Sequence, residues 1–237
     1  MKILALDSSG MVASVAIAED DILIAEYTVN YKKTHSQTLL PMLDEIVKMT
    51  EQKLGELDAI AVAGGPGSFT GLRIGSATAK GLGMALDKPL IHIPTLEAMA
   101  YNFYGYDRPI CPMMDARRNQ VYTGIYQFDG ENLNIILDQS ALAIEEITAR
   151  LNDLGCPIIL LGDGIPVYKD LLEEKLKVDV IYAPANMNRQ RAASVAVLGM
   201  KYLKAGKTET AAMHVPDYLR VSQAERERKA RLEGKNE

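Results

Sequence analysis

The feature that most constrains the fold is an order of predicted elements that occurs twice. Residues 1–100 predict three strands, a helix, a strand and a second helix, and residues 101–222 predict the same order again. The echo between individual residues is limited to two pairs: Asp7 with Asp115, each ending a first strand, and Ile17 with Ile125, each ten positions on. Two such matches also fit coincidence, so the duplication is a hypothesis. If it holds, two similar lobes face each other across a cleft.

The size and charge of the chain bound its class. With 237 residues, of which 48% are hydrophobic and 24% charged, it can form one large or two small globular domains. We expect an N-terminal lobe at 1–100, a C-terminal lobe at 101–222 and a charged tail at 223–237. The net charge of -5 argues against binding nucleic acid unaided, because phosphate contacts need clustered Lys and Arg.

Two further absences from the sequence predict a cytoplasmic protein. Cys111 and Cys156 fit no metal-ligand spacing, and a chain of this size needs no disulfide framework. No apolar run approaches the roughly 18–20 residues that would span a bilayer. We therefore expect a reducing compartment and no membrane association.

The glycine-rich stretch GGPGSFTGLRIG, residues 64–75, follows a buried-strand pattern and begins a helix. Such a turn often binds phosphate at a helix N-terminus. However, Leu72 and Arg73 replace the Lys and Ser or Thr of a Walker loop, and the glycines give GxGxxxG rather than GxGxxG. Ser68 also lacks the GxSxG context of a nucleophile elbow. The stretch therefore predicts neither a phosphate site nor a nucleophile.

The helix after this stretch carries unusually small side chains. Gly71, Gly75, Ala79 and Gly83 form one row at four-residue spacing, and Ala77, Gly81 and Ala85 form a neighbouring row. Because an interior helical glycine costs about 0.5–1 kcal/mol relative to alanine, these residues suggest close approach of another backbone. Either this flank packs inside its own lobe, or a small-residue face, beside the helix at 36–50, docks against another protein.

The side chains that could carry chemistry form no recognised motif. His35, His92 and His214 are scattered, and the HxxxH metal pair fails because Leu39 stands four residues after His35, so no metal site is predicted. Asp7, Ser8 and Asp115 are possible nucleotide-binding residues, although an aspartate at a hairpin turn is also an ordinary turn residue. Arg117 and Arg118 could hold a phosphate or form a solvated hairpin. No catalytic residue is predicted.

Taken together, several segments resemble the TsaB (YeaZ) family of bacterial tRNA threonylcarbamoyladenosine biosynthesis proteins. They are LALDSSGMVASVAI, HSQTLLPMLDEI, GGPGSFTGLRIG with ATAKGLGMAL, PTLEAMA, MDARRNQVY and PDYLR. The resemblance runs from about residue 1 to 226. It implies an α/β fold of the two-lobed ASKHA type found in actin and sugar kinases, in which each lobe is a mixed β-sheet with flanking helices.

The resemblance implies a non-catalytic role. TsaD, the catalytic paralogue, holds its metal with an HxxxH pair that this chain lacks, and Asp163 stands where the adenosine loop of an ASKHA nucleotide site is expected. The family pattern is that TsaB binds TsaD through helices of the N-terminal lobe and that TsaE, an ATPase, joins them. The assembly transfers threonylcarbamoyl from its adenylate to the adenosine next to the anticodon.

The resemblance also implies a set of partner contacts and ligands. We expect homodimers in isolation, tRNA contact only within the complex, and no cofactor requirement of this chain, with ATP or ADP possible at the interface with TsaD. The expected interface residues are Leu39, Leu43, Ile46, Leu72, Ile74, Ala77, Lys80, Gly81 and Met84.

Three alternatives stay open. An ASKHA small-molecule kinase would use Asp7 and the cleft and would bind ATP alone. A peptidase-like protein would need a metal pair or a nucleophile with its base. A pure scaffold would bind no nucleotide at all.

Overall fold

Two five-stranded mixed sheets form the framework of the computed structural model, which describes residues 1–31 and 34–220. The strands of the first sheet are β1 (Lys2–Asp7), β2 (Ala13–Glu19), β3 (Ile22–Val29), β4 (Ala59–Gly65) and β5 (Leu90–Pro94). Their order in the sheet is β3-β2-β1-β4-β5. The hairpin strands pair antiparallel, whereas β1–β4 and β4–β5 are parallel.

The second sheet repeats the first. Its strands are β6 (Ile110–Asp115), β7 (Gln120–Asp129), β8 (Asn132–Ala143), β9 (Ile158–Leu161) and β10 (Val180–Tyr182). They lie in the order β10-β9-β6-β7-β8, with the same pattern of parallel and antiparallel pairs. Asp7 and Asp115 end equivalent strands, β1 and β6. The predicted duplication is therefore confirmed at the level of topology.

Within the described residues, six α-helices cover the sheets: α1 (His35–Thr50), α2 (Phe69–Leu86), α3 (Thr95–Ala100), α4 (Ile144–Leu154), α5 (Gly164–Lys175) and α6 (Ala192–Lys204). Helices α1 and α2 pack on the outer face of the first sheet, and α4 and α5 on that of the second. The predicted fold of two lobes, each a mixed sheet with flanking helices, is confirmed. No helix within 1–31 and 34–220 combines the length and the apolarity that crossing a membrane requires.

The sequences of α1 and α2 explain why these helices form and which face of α1 is buried. Leu39, Met42, Leu43 and Ile46 are buried at the i, i+3, i+4 and i+7 spacing of one helix face. The hydroxyl of Ser68 caps α2 by accepting a hydrogen bond from the Gly71 N–H at 3.3 Å.

One hydrophobic core lies between the two lobes and joins them. Inner-face residues of both sheets, among them Ile3 and Ile93 of the first and Ile110 and Ile159 of the second, pack with α3 and α6 in one buried cluster. The chain thus has layers in the order helices, sheet, helices, sheet, helices, and the interlobe cleft opens beyond the ends of β1 and β6.

The C-terminal part of the chain returns to the first lobe. Helix α6 packs on β1 and β2, and first-lobe side chains accept hydrogen bonds from its N-terminal N–H groups: Ser14 Oγ from Ala192 at 2.9 Å and Glu26 Oε1 from Ala193 at 2.9 Å. Glu209 then pairs with Leu90 at the edge of β5. The expected C-terminal lobe, 101–222, is therefore corrected: residues 192–220 pack chiefly on the first lobe. The predicted tail at 223–237 lies outside the described residues.

Candidate functional site: an interlobe cleft and an exposed helix pair

The glycine-rich loop between β4 and α2 packs against the β1–β2 turn. The Ser68 N–H donates a hydrogen bond to Ser9 O at 2.6 Å. A Cβ added at Gly67 would overlap Ser9 O, and one added at Gly71 would overlap the backbone oxygen of Ser8. The loop needs these glycines because its backbone meets the backbone of the β1–β2 turn there. The absence of side chains therefore has a structural reason that requires no bound phosphate.

A cleft of about 450 Å³ lies between this loop and the β6–β7 turn. The first lobe contributes the β1–β2 turn, the start of α1 and the start of α2, and the second lobe contributes the end of β6 and the start of α5. The His35 ring forms one edge, with Nε2 2.8 Å from Gly10 O. Because both lobes line it, this cavity is the interlobe cleft that the repeated order of elements predicts.

The three predicted nucleotide-binding residues do not share this cleft. Asp115 lines it, whereas Asp7 and Ser8 lie beneath its floor, 1% and 2% exposed. The Ser8 hydroxyl donates a hydrogen bond to Gly71 O at 2.8 Å and holds the start of α2 on the β1–β2 turn. Nucleotide binding by these residues stays a prediction, with Asp115 the member that a ligand in the cleft could contact directly.

Asp7 has an unusual electrostatic environment. Its Oδ1 accepts hydrogen bonds from the Ser9 N–H at 2.9 Å and the Ser9 hydroxyl at 2.7 Å. Its Oδ2 is buried and has no hydrogen-bond partner among the described residues. Burial raises the pKa of Asp7 to about 6, and the two bonds from Ser9 oppose that shift.

The second-lobe wall of the cleft is acidic. Asp115 and Asp163 both line it, and Asp163 Oδ1 accepts a hydrogen bond from the Asp115 N–H at 3.1 Å. Burial raises the pKa of Asp163. Arg117 lies in a left-handed conformation, with φ of 64°, and its Nη1 is 3.6 Å from Asp115 Oδ2. Within the described part of the chain Arg117 lines the cavity beside Asp115 but no lysine does, so a polyphosphate there would need further positive charge from a cation or a partner.

Arg118, the other predicted phosphate contact, also has a left-handed φ, of 58°, but lies outside the cavity lining. The two arginines belong to an exposed hairpin turn. Arg118 therefore belongs to a solvated hairpin. Arg117 is exposed on the same hairpin but also lines the cavity.

Four of the predicted interface residues are in the core, and their assignment to a partner surface is wrong. Leu39, Leu43, Ile46 and Leu72 are each at most 5% exposed beneath α1 and α2. The periodicity correctly identified one helix face, but that face packs on the first sheet. Burial against the chain's own sheet leaves these side chains no surface to offer.

The other five predicted interface residues are placed differently. Ile74 is half-buried and lines the cleft. Lys80 Nζ donates hydrogen bonds to the C-terminal segment, at 3.3 Å to Ala212 O and 3.1 Å to His214 O. Ala77, Gly81 and Met84 are exposed.

Sequence reasoning missed Leu40, which is 53% exposed on α1. The signal was present, because the buried positions follow the i, i+3, i+4 and i+7 spacing from Leu39, and Leu40 lies about 100° around the helix from Leu39. The apolar stripe includes Leu39 and leaves Leu40 outside it.

The two rows of small residues on α2 have opposite environments. Gly71, Gly75, Ala79 and Gly83 are buried inside the lobe. Ala77, Gly81 and Ala85 are exposed, and apart from the neighbouring backbone of α2 no heavy atom of the described chain lies within 4 Å of a Cβ at Gly81. The own-lobe interpretation is thus confirmed for the first row, whereas docking by the second row stays a prediction.

The structure also brings together two histidines that are distant in sequence. His92 and His214 have ring centroids 5.7 Å apart, and Glu209 Oε1 lies 2.7 Å from His214 Nδ1. Burial is the largest cause that lowers the pKa of His92, and the charge of the neighbouring His214 lowers it further. The Ser76 hydroxyl lies 2.9 Å from His214 Nε2, which completes a serine–histidine–glutamate chain.

The arrangement of Ser76, His214 and Glu209 is too deeply buried to serve as a peptidase site. Ser76 is 4% exposed and His214 1% exposed, and Ser76 lies on the buried side of α2. A nucleophilic serine must reach a substrate carbonyl, and this hydroxyl is enclosed by its own lobe.

Comparisons with known proteins agree on one family. A family model described as TsaD, tRNA N6-adenosine threonylcarbamoyltransferase, matches residues 23–228. The tRNA threonylcarbamoyladenosine biosynthesis protein TsaB of Bacillus subtilis is 34% identical over 227 residues, covering 95% of this chain and 96% of the relative. The protein of the same name from Escherichia coli is 30% identical, covering 93% of this chain and 95% of its own length.

A solved structure supports the same assignment. YeaZ from Pseudomonas aeruginosa superposes with a TM-score of 0.79 at 26% sequence identity, covering 92% of this chain and 99% of that one. Sequence similarity over nearly the whole length and a shared fold point the same way: this chain belongs to the TsaB (YeaZ) family.

Proposed function

We propose that this chain is a non-catalytic subunit of the complex that forms N6-threonylcarbamoyladenosine in tRNA. In this role it binds and activates TsaD, with TsaE, for transfer of the threonylcarbamoyl group from threonylcarbamoyl-AMP to the adenosine next to the anticodon. The names of its relatives and the matching family model support the pathway. The absence of an HxxxH pair from the sequence supports the accessory role.

The observation that carries the proposal is the exposed face of the α1–α2 pair. Leu40 on α1 and Met84 on α2 are 53% and 71% exposed, and α2 also exposes a row of small residues at Ala77, Gly81 and Ala85. A protruding apolar side chain next to a row of small residues lets a second helix approach closely and bury its own side chains. TsaD is the proposed occupant, and a second copy of this chain occupies the face in isolation.

The cleft suggests where a nucleotide enters this scheme. Its acidic wall at Asp115 and Asp163 disfavours binding of a polyphosphate by the isolated chain, so we place ATP or ADP at the interface with TsaD, where the partner adds positive charge. A net charge of -5 likewise supports tRNA contact through the complex rather than through this chain alone. Such a complex works in the cytoplasm, where tRNA is modified.

The decisive experiment changes the size of one residue on this face. In Gly81→Leu, a bulky side chain stands where the partner helix should approach. Gly81→Ala adds only a methyl group and favours the helix by about 0.5–1 kcal/mol. Gly55→Leu is the matched control, because a Cβ at Gly55 also meets no atom within 4 Å but lies outside α1 and α2.

Two measurements are made on each variant: the affinity for purified TsaD by calorimetry, and threonylcarbamoyladenosine formation with TsaD, TsaE and a TsaC-type enzyme. Gly81→Leu should lose at least tenfold in affinity and a similar factor in the rate at limiting concentration, while Gly81→Ala and Gly55→Leu keep both. If a folded Gly81→Leu protein binds TsaD as tightly as the wild type, the proposed surface is wrong.

A nucleotide titration separates the alternatives. Our proposal predicts that ATP or ADP binds the complex with TsaD and not the isolated chain. Tight binding to the isolated chain would favour the small-molecule kinase, and no binding to either would favour the pure scaffold.

A further inference from the structure

A cluster of potential metal ligands lies inside the first lobe, away from the cleft. His92 comes from β5, and Glu209 and His214 come from the segment that follows α6. One ligand atom from each of the three lies within 4.8 Å of the others. The tertiary fold therefore brings together two imidazoles and one carboxylate. Their positions in the sequence match no metal-ligand motif.

Backbone contacts hold the segment in this position. Glu209 is fixed beside β5 by a reciprocal pair of hydrogen bonds with Leu90, of 2.8 and 2.9 Å. Lys80 binds the backbone oxygens of Ala212 and His214 from the α2 side. The cluster is thus preformed on ordered backbone, which reduces the entropy lost when a ligand binds.

Each imidazole is also oriented by its surroundings. A side chain at Gly64 would overlap the His92 ring, so the bare backbone there makes room for it. The His214 side chain is 0% exposed, with Nδ1 2.7 Å from Glu209 Oε1 and Nε2 2.9 Å from Ser76 Oγ. When Nε2–H donates to the Ser76 hydroxyl, Nδ1 presents a lone pair on the Glu209 side. A metal-bound histidine characteristically makes such an outer hydrogen bond.

We propose that His92, Glu209 and His214 bind a divalent transition metal, Zn²⁺ in the first instance. Two imidazole nitrogens and a carboxylate oxygen form a donor set that suits Zn²⁺, whereas Mg²⁺ and Ca²⁺ prefer oxygen ligands. Zinc binds such donors at about 2.0–2.2 Å, which places tetrahedral donors roughly 3.3 Å apart. The three atoms now lie within 4.8 Å of one another, with His214 Nδ1 and Glu209 Oε1 at 2.7 Å, so reaching that spacing requires this closest pair to separate.

The metal has a structural role in this location. It joins the segment at 209–214 to β5 of the first sheet, next to the underside of α2. The binding is a property of the isolated chain, so its test does not depend on TsaD or on formation of the modified nucleoside.

The experiment titrates Zn²⁺ into chelator-treated full-length protein by calorimetry, with Co²⁺ absorption as a report on coordination geometry. Wild type should bind one Zn²⁺ per chain with a Kd on the order of 1 µM or tighter. His92→Gln and Glu209→Gln should each weaken binding at least tenfold and lose the tetrahedral Co²⁺ spectrum. His35→Gln, which changes the remaining histidine at the cleft, should leave both unchanged.

Thermal unfolding gives a second measurement on the same proteins. A metal that binds only the native state raises the unfolding temperature of the wild type and of His35→Gln, and has little effect on His92→Gln. The proposal is overturned if the wild type shows no stoichiometric binding, or if His92→Gln binds Zn²⁺ as tightly as the wild type. Either result would mean that the three side chains only fasten the segment by hydrogen bonds.

Discussion

Substitution of Asp7 by Asn should make the protein more stable at neutral pH. The folded-state pKa of Asp7, about 6, lies above the ordinary value of 3.8 because the carboxyl is buried. The native state therefore binds the proton more tightly than the unfolded state, and the stability present below pH 3.8 is lost as the pH rises through about 6. At about 1.4 kcal/mol per pKa unit, this interval corresponds to a loss of about 3 kcal/mol.

Asparagine removes the ionisation and keeps the acceptor. Its Oδ1 can still accept the two hydrogen bonds that Ser9 donates to Asp7 Oδ1. At low pH both proteins carry an uncharged side chain at position 7 and should have similar free energies of unfolding. At pH 7.5 we expect Asp7→Asn to exceed the wild type by an amount on the order of 3 kcal/mol.

Urea unfolding at several pH values between 3.5 and 7.5 measures this difference directly. Carboxyl groups elsewhere titrate alike in both proteins, so the gap between the two curves isolates position 7. A gap that stays constant within about 0.5 kcal/mol across this range would refute the reasoning. It would mean that the carboxylate gains a compensating partner when it ionises.

Three further predictions concern packing and thiol chemistry. Gly71→Ala should lower the free energy of unfolding by about 1–3 kcal/mol despite the helix preference of alanine, because the new methyl group meets backbone; Gly81→Ala, with open space, should raise it, and equal effects in urea unfolding would contradict this. Leu43→Ala should cost about 2–5 kcal/mol in the same assay, whereas a loss below about 1 kcal/mol would place Leu43 at the surface. Burial raises the pKa of Cys111 to about 12, so a thiol reagent at pH 8 should label only Cys156 in the folded protein and both cysteines in urea; rapid labelling of two thiols under native conditions would show an accessible Cys111.

The element order was predictable because hydrophobic period and turn residues are local properties. The run before the glycine-rich loop predicted a buried strand, and β4 is buried at all of its 7 residues. The repeated order likewise supported the hypothesis of two equivalent sheets, and the paired aspartates at 7 and 115 end equivalent strands.

The direction in which each helix faces was less predictable. Period alone identifies the apolar face of α1, but an apolar face that meets the chain's own sheet has the same pattern as one that meets a partner. The leucines at 39 and 43 and the isoleucine at 46 were therefore placed on the wrong surface. On α2 the two small-residue rows differ in burial even though their compositions are alike.

The sequence by itself determined the two-lobed topology, the family and the small-residue character of α2. Each of these follows from local periodicity or from contiguous motifs, which can be recognised without the tertiary structure. Only the tertiary structure decided which row of α2 is free and which residues reach the cleft. It also decided that His92 meets Glu209 and His214, and that residues 192–220 return to the first lobe. These outcomes depend on contacts between residues far apart in the chain, where side chains compete for the same buried space and the best-packed arrangement prevails.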